Sequence, residues 1–115
     1  MKIAFYDTKP YEKIWFDIVA REEGFEVLYF DESLNHNTLL LASGCEVISV
    51  FGNSEIDEET LRKIRDLGIR IVLVRSDCPE KKGLIKYEKE GIIFINIFSS
   101  MSQNLIKSKW VSYLP

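Results

Sequence analysis

Histidine occurs once in these 115 residues, cysteine twice and proline three times, and each scarcity closes off a class of chemistry. His36, Cys45 and Cys78 are far apart and form no CxxC pair, so they do not compose a recognisable zinc site; no metal is expected, and the thiols are expected to be reduced. The six glycines never gather into a turn that could cradle a phosphate, which argues against a P-loop or a dinucleotide fingerprint. Long apolar runs are missing too. Nothing approaches the ~20 residues of a membrane span, so no membrane association is expected. The 15 Lys and Arg are outnumbered by 18 Asp and Glu, giving a net charge of −3, and the bases are interleaved with acids, so no nucleic-acid partner is expected. The opening "MKIAFYDTK" has neither the apolar core nor the small-residue cleavage pattern of a signal peptide, and a cytoplasmic location is expected.

What is present is an alternation of two periods. The runs 2–6, 25–30, 46–51, 69–74 and 92–97 are short and rich in Ile, Val, Phe and Tyr, as strands are. Between them lie segments of helical spacing. Tyr11, Ile14, Trp15, Ile18 and Val19 fall at i, i+3, i+4, i+7 and i+8, predicting one inward face with Trp15 and Ile18 buried. Asn35 is placed to cap a second helix carrying Leu39, Leu40 and Leu41. In "DEETLRKIRDLG", Asp57 can cap, Glu58 and Glu59 suit the positive helix end and pair with Arg62 and Lys63, and Leu61, Ile64 and Leu67 supply the inner face. Lys81, Lys82, Lys86 and Lys89 are expected on the solvated side of a fourth helix. Gly24, Gly44, Gly68 and Gly91 are each placed to end a helix in the left-handed conformation.

A βαβαβαβαβ order with strands apolar on both sides implies an α/β fold: a flavodoxin-like three-layer sandwich with a five-stranded parallel sheet in the order 2-1-3-4-5. Ligands of such folds sit at the carboxyl ends of the strands, so the loops "YDTKPY", "FGNSEID", "RSDCPEKKG" and "FSSMSQN" are the ones to test. The first offers only Thr8 before Pro10, which does not suit a flavin phosphate, and Asp7 stands without the acidic neighbours of a phosphate-accepting receiver. Cys78 lacks a positioned base, and His36 is expected on the rim opposite the strand ends.

Across these loops the chain resembles the opening of the NAD-dependent D-2-hydroxyacid dehydrogenases, particularly the D-lactate dehydrogenase branch. The matching features are the turn Tyr6 to Lys9, the step Gly44 to Glu46, the helix opening Ile56 to Leu61, the strand end Ile71 to Ser76, and "YEKEGIIFINI" at 87–97. The resemblance implies that residues 1–97 form the substrate-binding, so-called catalytic, domain, followed by a divergent tail, 98–115. It implies a substrate rim of Gly52, Asn53, Arg75, Ser76, Asp77 and Ser100, no catalytic residues, and no cofactor held here, since the family's NAD domain follows this region. Departures from the family pattern are as specific. Asp77 or Cys78 stands where a glycine would approach the substrate carboxylate, and Ser100 stands where a tyrosine is expected. A stand-alone or truncated homologue without activity of its own is expected. The alternatives are a small-ligand or interaction module, self-associating or not, and a subunit completed by a separate NAD-binding chain.

Overall fold

A computed structural model describes residues 1–52, 56–76 and 84–98, and of residues 76, 84–86, 97 and 98 the backbone alone. Its elements are β1 (Lys2–Phe5), α1 (Pro10–Glu23), β2 (Glu26–Tyr29), a 3-10 helix (Leu39–Ala42), β3 (Val47–Phe51), α2 (Glu58–Asp66), β4 (Ile71–Ser76), β5 (Leu84–Lys89) and β6 (Ile92–Phe98). They form one sheet in the order β2-β1-β3-β4-β6-β5, parallel except for the antiparallel β5–β6 pair.

The α/β class follows from strands that are apolar on both sides. Ile3, Phe5, Val47, Ile71, Leu73 and Ile95 point to one face and pack with Phe16 and Val19 of α1. Ala4, Tyr6, Ile48, Val50, Val72 and Phe94 point to the other, where the 3-10 helix and α2 add Leu39, Ala42, Leu61 and Ile64. Alternate residues thus feed two cores separated by the sheet. The expected five strands lie in the expected order, with β6 as the fifth.

Four local expectations are corrected. The segment expected to be a fourth helix is instead β5, which adds a sixth strand at the sheet edge; Lys86 and Lys89 lie on it, and Lys81 and Lys82 lie outside the described residues. Glu90 and Gly91, with φ of 55° and 79°, make a two-residue turn of the kind that joins twisted antiparallel strands. Gly91 therefore closes a hairpin rather than a helix. The second helix is a single 3-10 turn that buries Leu39 and Ala42 and leaves Leu40 and Leu41 exposed.

The fourth correction concerns the rotation of α1. Its buried residues are Phe16, Val19 and Ala20, while Tyr11, Ile14 and Trp15 are 53%, 64% and 40% exposed and Ile18 is half-buried. On α2, by contrast, Leu61 and Ile64 are buried as expected. Asp57 caps that helix by accepting from Thr60 N at 2.7 Å, and the Glu58–Arg62 and Glu59–Lys63 pairs form at 3.9 and 3.6 Å. No described helix is long and apolar enough to cross a membrane.

Candidate functional site

In the order β2-β1-β3 the chain leaves β1 for one neighbour and later returns beside it on the other side, and the crevice of such a sheet opens at the carboxyl ends of these strands. The backbone there is strained. Asp7, just beyond β1, has φ of 51°, a left-handed conformation that a short polar side chain tolerates best among non-glycine residues. Its N–H donates to Glu32 O at 2.9 Å, Thr8 N–H donates to Phe30 O at 3.0 Å, and the Ser33 hydroxyl donates to the Asp7 carboxylate.

Arg75 fastens this turn to the sheet from inside. Its Nη2 donates to the carbonyls of Tyr6 at 2.7 Å and Asp7 at 3.0 Å, and its Nη1 donates to Ser49 Oγ at 2.8 Å. Nε donates to Glu12 Oε2 at 2.7 Å, with Nη2 to Oε1 at 3.3 Å completing a fork on the carboxylate. The guanidinium carbon lies 4.0 Å from the centre of the Phe5 ring. Arg75 is 9% exposed. That burial lowers its pKa and the charge of Glu12 opposes the shift, so the guanidinium stays protonated and paired. Glu12 also receives Lys9 N–H at 3.2 Å, which joins the entry of α1 to the same cluster. Four of the five guanidinium N–H groups are therefore engaged with the protein's own acceptors.

The predicted rim residues divide accordingly. Gly52 and Arg75 are brought together, Gly52 N–H donating to Arg75 O at 2.6 Å. The backbone of Ser76 pairs with Phe98 in the sheet. Asn53, Asp77 and Ser100 lie outside the described residues, as does Cys78. Glu12 and Ser49 were missed. An acid at the fourth residue before Phe16 and a serine inside an apolar strand were the available signals, since both place a polar group on an inner face.

His36 is corrected: it sits on the carboxyl rim, not the opposite one. It lies in the loop that leaves β2, and its ring reaches the first turn of α2, which begins beyond β3. Nε2 is 3.4 Å from Thr60 Oγ1 and 3.7 Å from Asp57 Oδ2, and Nδ1 is 3.2 Å from Lys63 Nζ. An ammonium donates only, so Nδ1 accepts and Nε2 carries the proton toward Asp57 and Thr60. Hydrogen bonds from Thr60 hold the Asp57 carboxyl below its ordinary range, with His36 adding to the effect. This network closes the helix start.

Neither described helix start suits a dinucleotide. Pro10 has no N–H to offer a pyrophosphate, Glu12 already occupies the amide of Lys9, and Glu58 and Glu59 place negative charge on the first turn of α2. Among the described residues no group of three His, Cys, Asp or Glu could hold a metal. Cys45 is free and buried, and burial raises its pKa.

No family model matches the chain. Individual relatives do. A 2-hydroxyacid dehydrogenase homologue of Haemophilus influenzae is 37% identical over 75 residues, 65% of this chain and 23% of that protein. The D-lactate dehydrogenase of Escherichia coli is 33% identical over the same shares of both chains. Among solved structures, the Salmonella D-lactate dehydrogenase superposes with a TM-score of 0.69 at 26% identity, covering 84% of this chain and 30% of that one. The chain spans about a quarter of the length of the curated relatives it matches. Sequence and fold agree over most of its length: the chain is similar to one part of the D-lactate and 2-hydroxyacid dehydrogenases.

Proposed function

We propose that this chain is a substrate-domain segment of the D-2-hydroxyacid dehydrogenase type whose own residues do not carry out hydride transfer. The observation that carries the reading is the engagement of Arg75. Recognition of a 2-oxo acid needs a cation free to meet its carboxylate, and the buried cation at the strand ends is already forked onto Glu12 and held by Ser49, Tyr6 and Asp7. Arg75 acts as the anchor of the β1 turn, which it holds at the crevice, rather than as a substrate ligand. His36, tied to α2 by Asp57, Thr60 and Lys63, is not presented as a proton donor to that crevice. Reduction of a 2-oxo acid on this scaffold requires a dinucleotide-binding unit, which the helix starts described here do not supply.

Calorimetric titration of the 115-residue chain with NADH, and an absorbance assay with pyruvate and larger 2-oxo acids, test the reading. The expected outcome is no saturable heat and no turnover. Micromolar NADH binding, or turnover that is lost on Arg75→Lys, would overturn it.

A further inference from the structure

With β5 where a crossover helix was expected, no described helix lies over the sheet beyond α2 on that face. On that face lies a cleft of about 320 Å³, large enough for a small ligand with one ring. Val50 and Val74 form its floor, and Leu61 of α2 is one wall. The other wall is Tyr87 stacked on Phe94 across the hairpin, with ring centres 5.0 Å apart and planes 5° from parallel.

The cleft has a mixed lining in which polar groups make up most of the exposed area, and two of its polar side chains have no partner among the described residues. Lys89 makes no ion pair with any described residue, whereas the adjacent Glu90 pairs with Arg65 at 3.5 Å. Asn96, half-buried in a strand with apolar neighbours on its face, has no hydrogen-bond partner for its side-chain amide among the described residues. A partly buried amide without a partner sacrifices hydrogen bonds that it had in water, so its presence here needs an occupant or solvent to satisfy it. The register sets the spacing of the two groups. Lys89 is opposite Ile92 and Asn96 is opposite Ile85, so they stand four residues apart, about 13 Å along the strands, with the Tyr87–Phe94 pair between them.

We propose that this cleft binds a small amphipathic monoanion with a flat apolar body. Its carboxylate meets Lys89, its ring lies against Tyr87, Phe94 and Val74, and a polar atom at its far end meets the amide of Asn96. The charge of Lys89 selects an anion, and the flat Tyr87–Phe94 pair with Val74 beside it offers a ring a stacking surface that a hydrated ion such as phosphate cannot use. The inference is independent of the dehydrogenase reading, because it uses no residue of the β1 turn or of Arg75.

The probe is 3-(4-hydroxyphenyl)propanoate, whose phenol oxygen is the far polar atom, titrated into the isotope-labelled 115-residue chain and followed by amide chemical shifts, with 3-(4-hydroxyphenyl)propanamide as its uncharged counterpart. A probe of this size is expected to bind with a Kd on the order of 1 mM, with saturable shifts centred on Val74, Tyr87, Phe94 and the side-chain amide of Asn96. Lys89→Gln, at an exposed position where folding is unaffected, should weaken the carboxylate about threefold to fivefold and leave the amide unchanged. Asn96→Leu should weaken both probes, and retained strand shifts would show that its sheet is intact. No saturable change by about 20 mM, changes centred elsewhere, or equal weakening of acid and amide by Lys89→Gln would each overturn the proposal.

Discussion

The two described α-helices follow different rules, although both lie on the same sheet. In α2 the apolar positions Leu61 and Ile64 face inward and the charges face out. In α1 the largest apolar set, Tyr11, Ile14 and Trp15, faces outward, while the inner line runs Glu12, Phe16, Val19 and Ala20. Counting apolar residues would rotate α1 the other way. What prevents it is a carboxylate: Glu12 is taken up by Arg75, itself committed to Ser49 and the β1 turn, and rotating the helix would leave that guanidinium buried without its charge partner. Exposing a few apolar side chains costs less than an uncompensated buried charge. The comparison teaches that one well-partnered ion pair can decide the orientation of a helix against its hydrophobic periodicity.

The most severe break of this comparison is removal of one partner. Arg75→Ala is expected to lower stability by about 3–5 kcal/mol in urea unfolding, because it leaves Glu12 buried beside unmet acceptors at Ser49, Tyr6 and Asp7. Glu12→Leu with Arg75→Met should recover much of the loss, since a packed apolar pair can replace a buried ionic one. In a Trp110→Phe background the double variant also reports the rotation. If the pair alone holds α1 in place, Trp15 emission should shift to the blue as its side of the helix turns inward. Unchanged emission in a stable double variant would show that Phe16, Val19 and Ala20 suffice to orient the helix.

This contrast marks what was legible in the sequence. The strands were, because continuous apolar runs are buried on both sides, and so was α2, whose cap, charge pairs and apolar stripe all agree. The orientation of α1 was not, because it depends on a partner 63 residues away. β5 was hidden behind a turn of Glu and Gly, which lacks the Asn or Asp that ordinarily marks such hairpins, although "LIKYEK" does alternate. The rim position of His36 follows from topology: β1, β2 and β3 are parallel, so the loop that leaves β2 opens at the same end as the crevice. Of the candidate site, the meeting of Gly52 and Arg75 was legible from strand order, whereas the inward commitment of the guanidinium required Glu12 and Ser49 to be known as its partners.

A paired substitution sharpens the comparison at the next level. Ile64→Ala removes a fully buried side chain from the α2 face and should cost about 2–4 kcal/mol. Ile14→Ala on α1, the same chemical change at 64% exposure, should alter stability by less than about 0.5 kcal/mol. Equal losses at the two positions, measured in the same urea series, would mean that the outer stripe of α1 is covered in solution.

The smallest effect compares the two faces by pH. Among the described residues each face holds one phenol whose pKa is raised, first by burial: Tyr6, donating to Thr38 O at 2.7 Å beside the 3-10 helix, and Tyr29, donating to Asp17 Oδ1 at 2.6 Å beneath α1. The neutral form is favoured in the folded chain, whereas a tyrosine in the unfolded chain releases its proton near pH 10. Below that pH both states keep the proton and the contribution to stability is complete; above it only the unfolded state gains by ionising, so stability falls as pH rises toward the folded value. Both phenols are raised to a similar extent, Tyr6 chiefly by burial and Tyr29 by burial and the Asp17 carboxylate, so each face should carry about half of the alkaline loss. Tyr6→Phe is expected to cost about 1–2 kcal/mol at neutral pH, by leaving Thr38 O without its donor, and to flatten the decline above pH 10 about as much as Tyr29→Phe does. Urea midpoints between about pH 8 and 11 decide it: a decline flattened by only one of the two substitutions would place the pH sensitivity on that phenol's face alone.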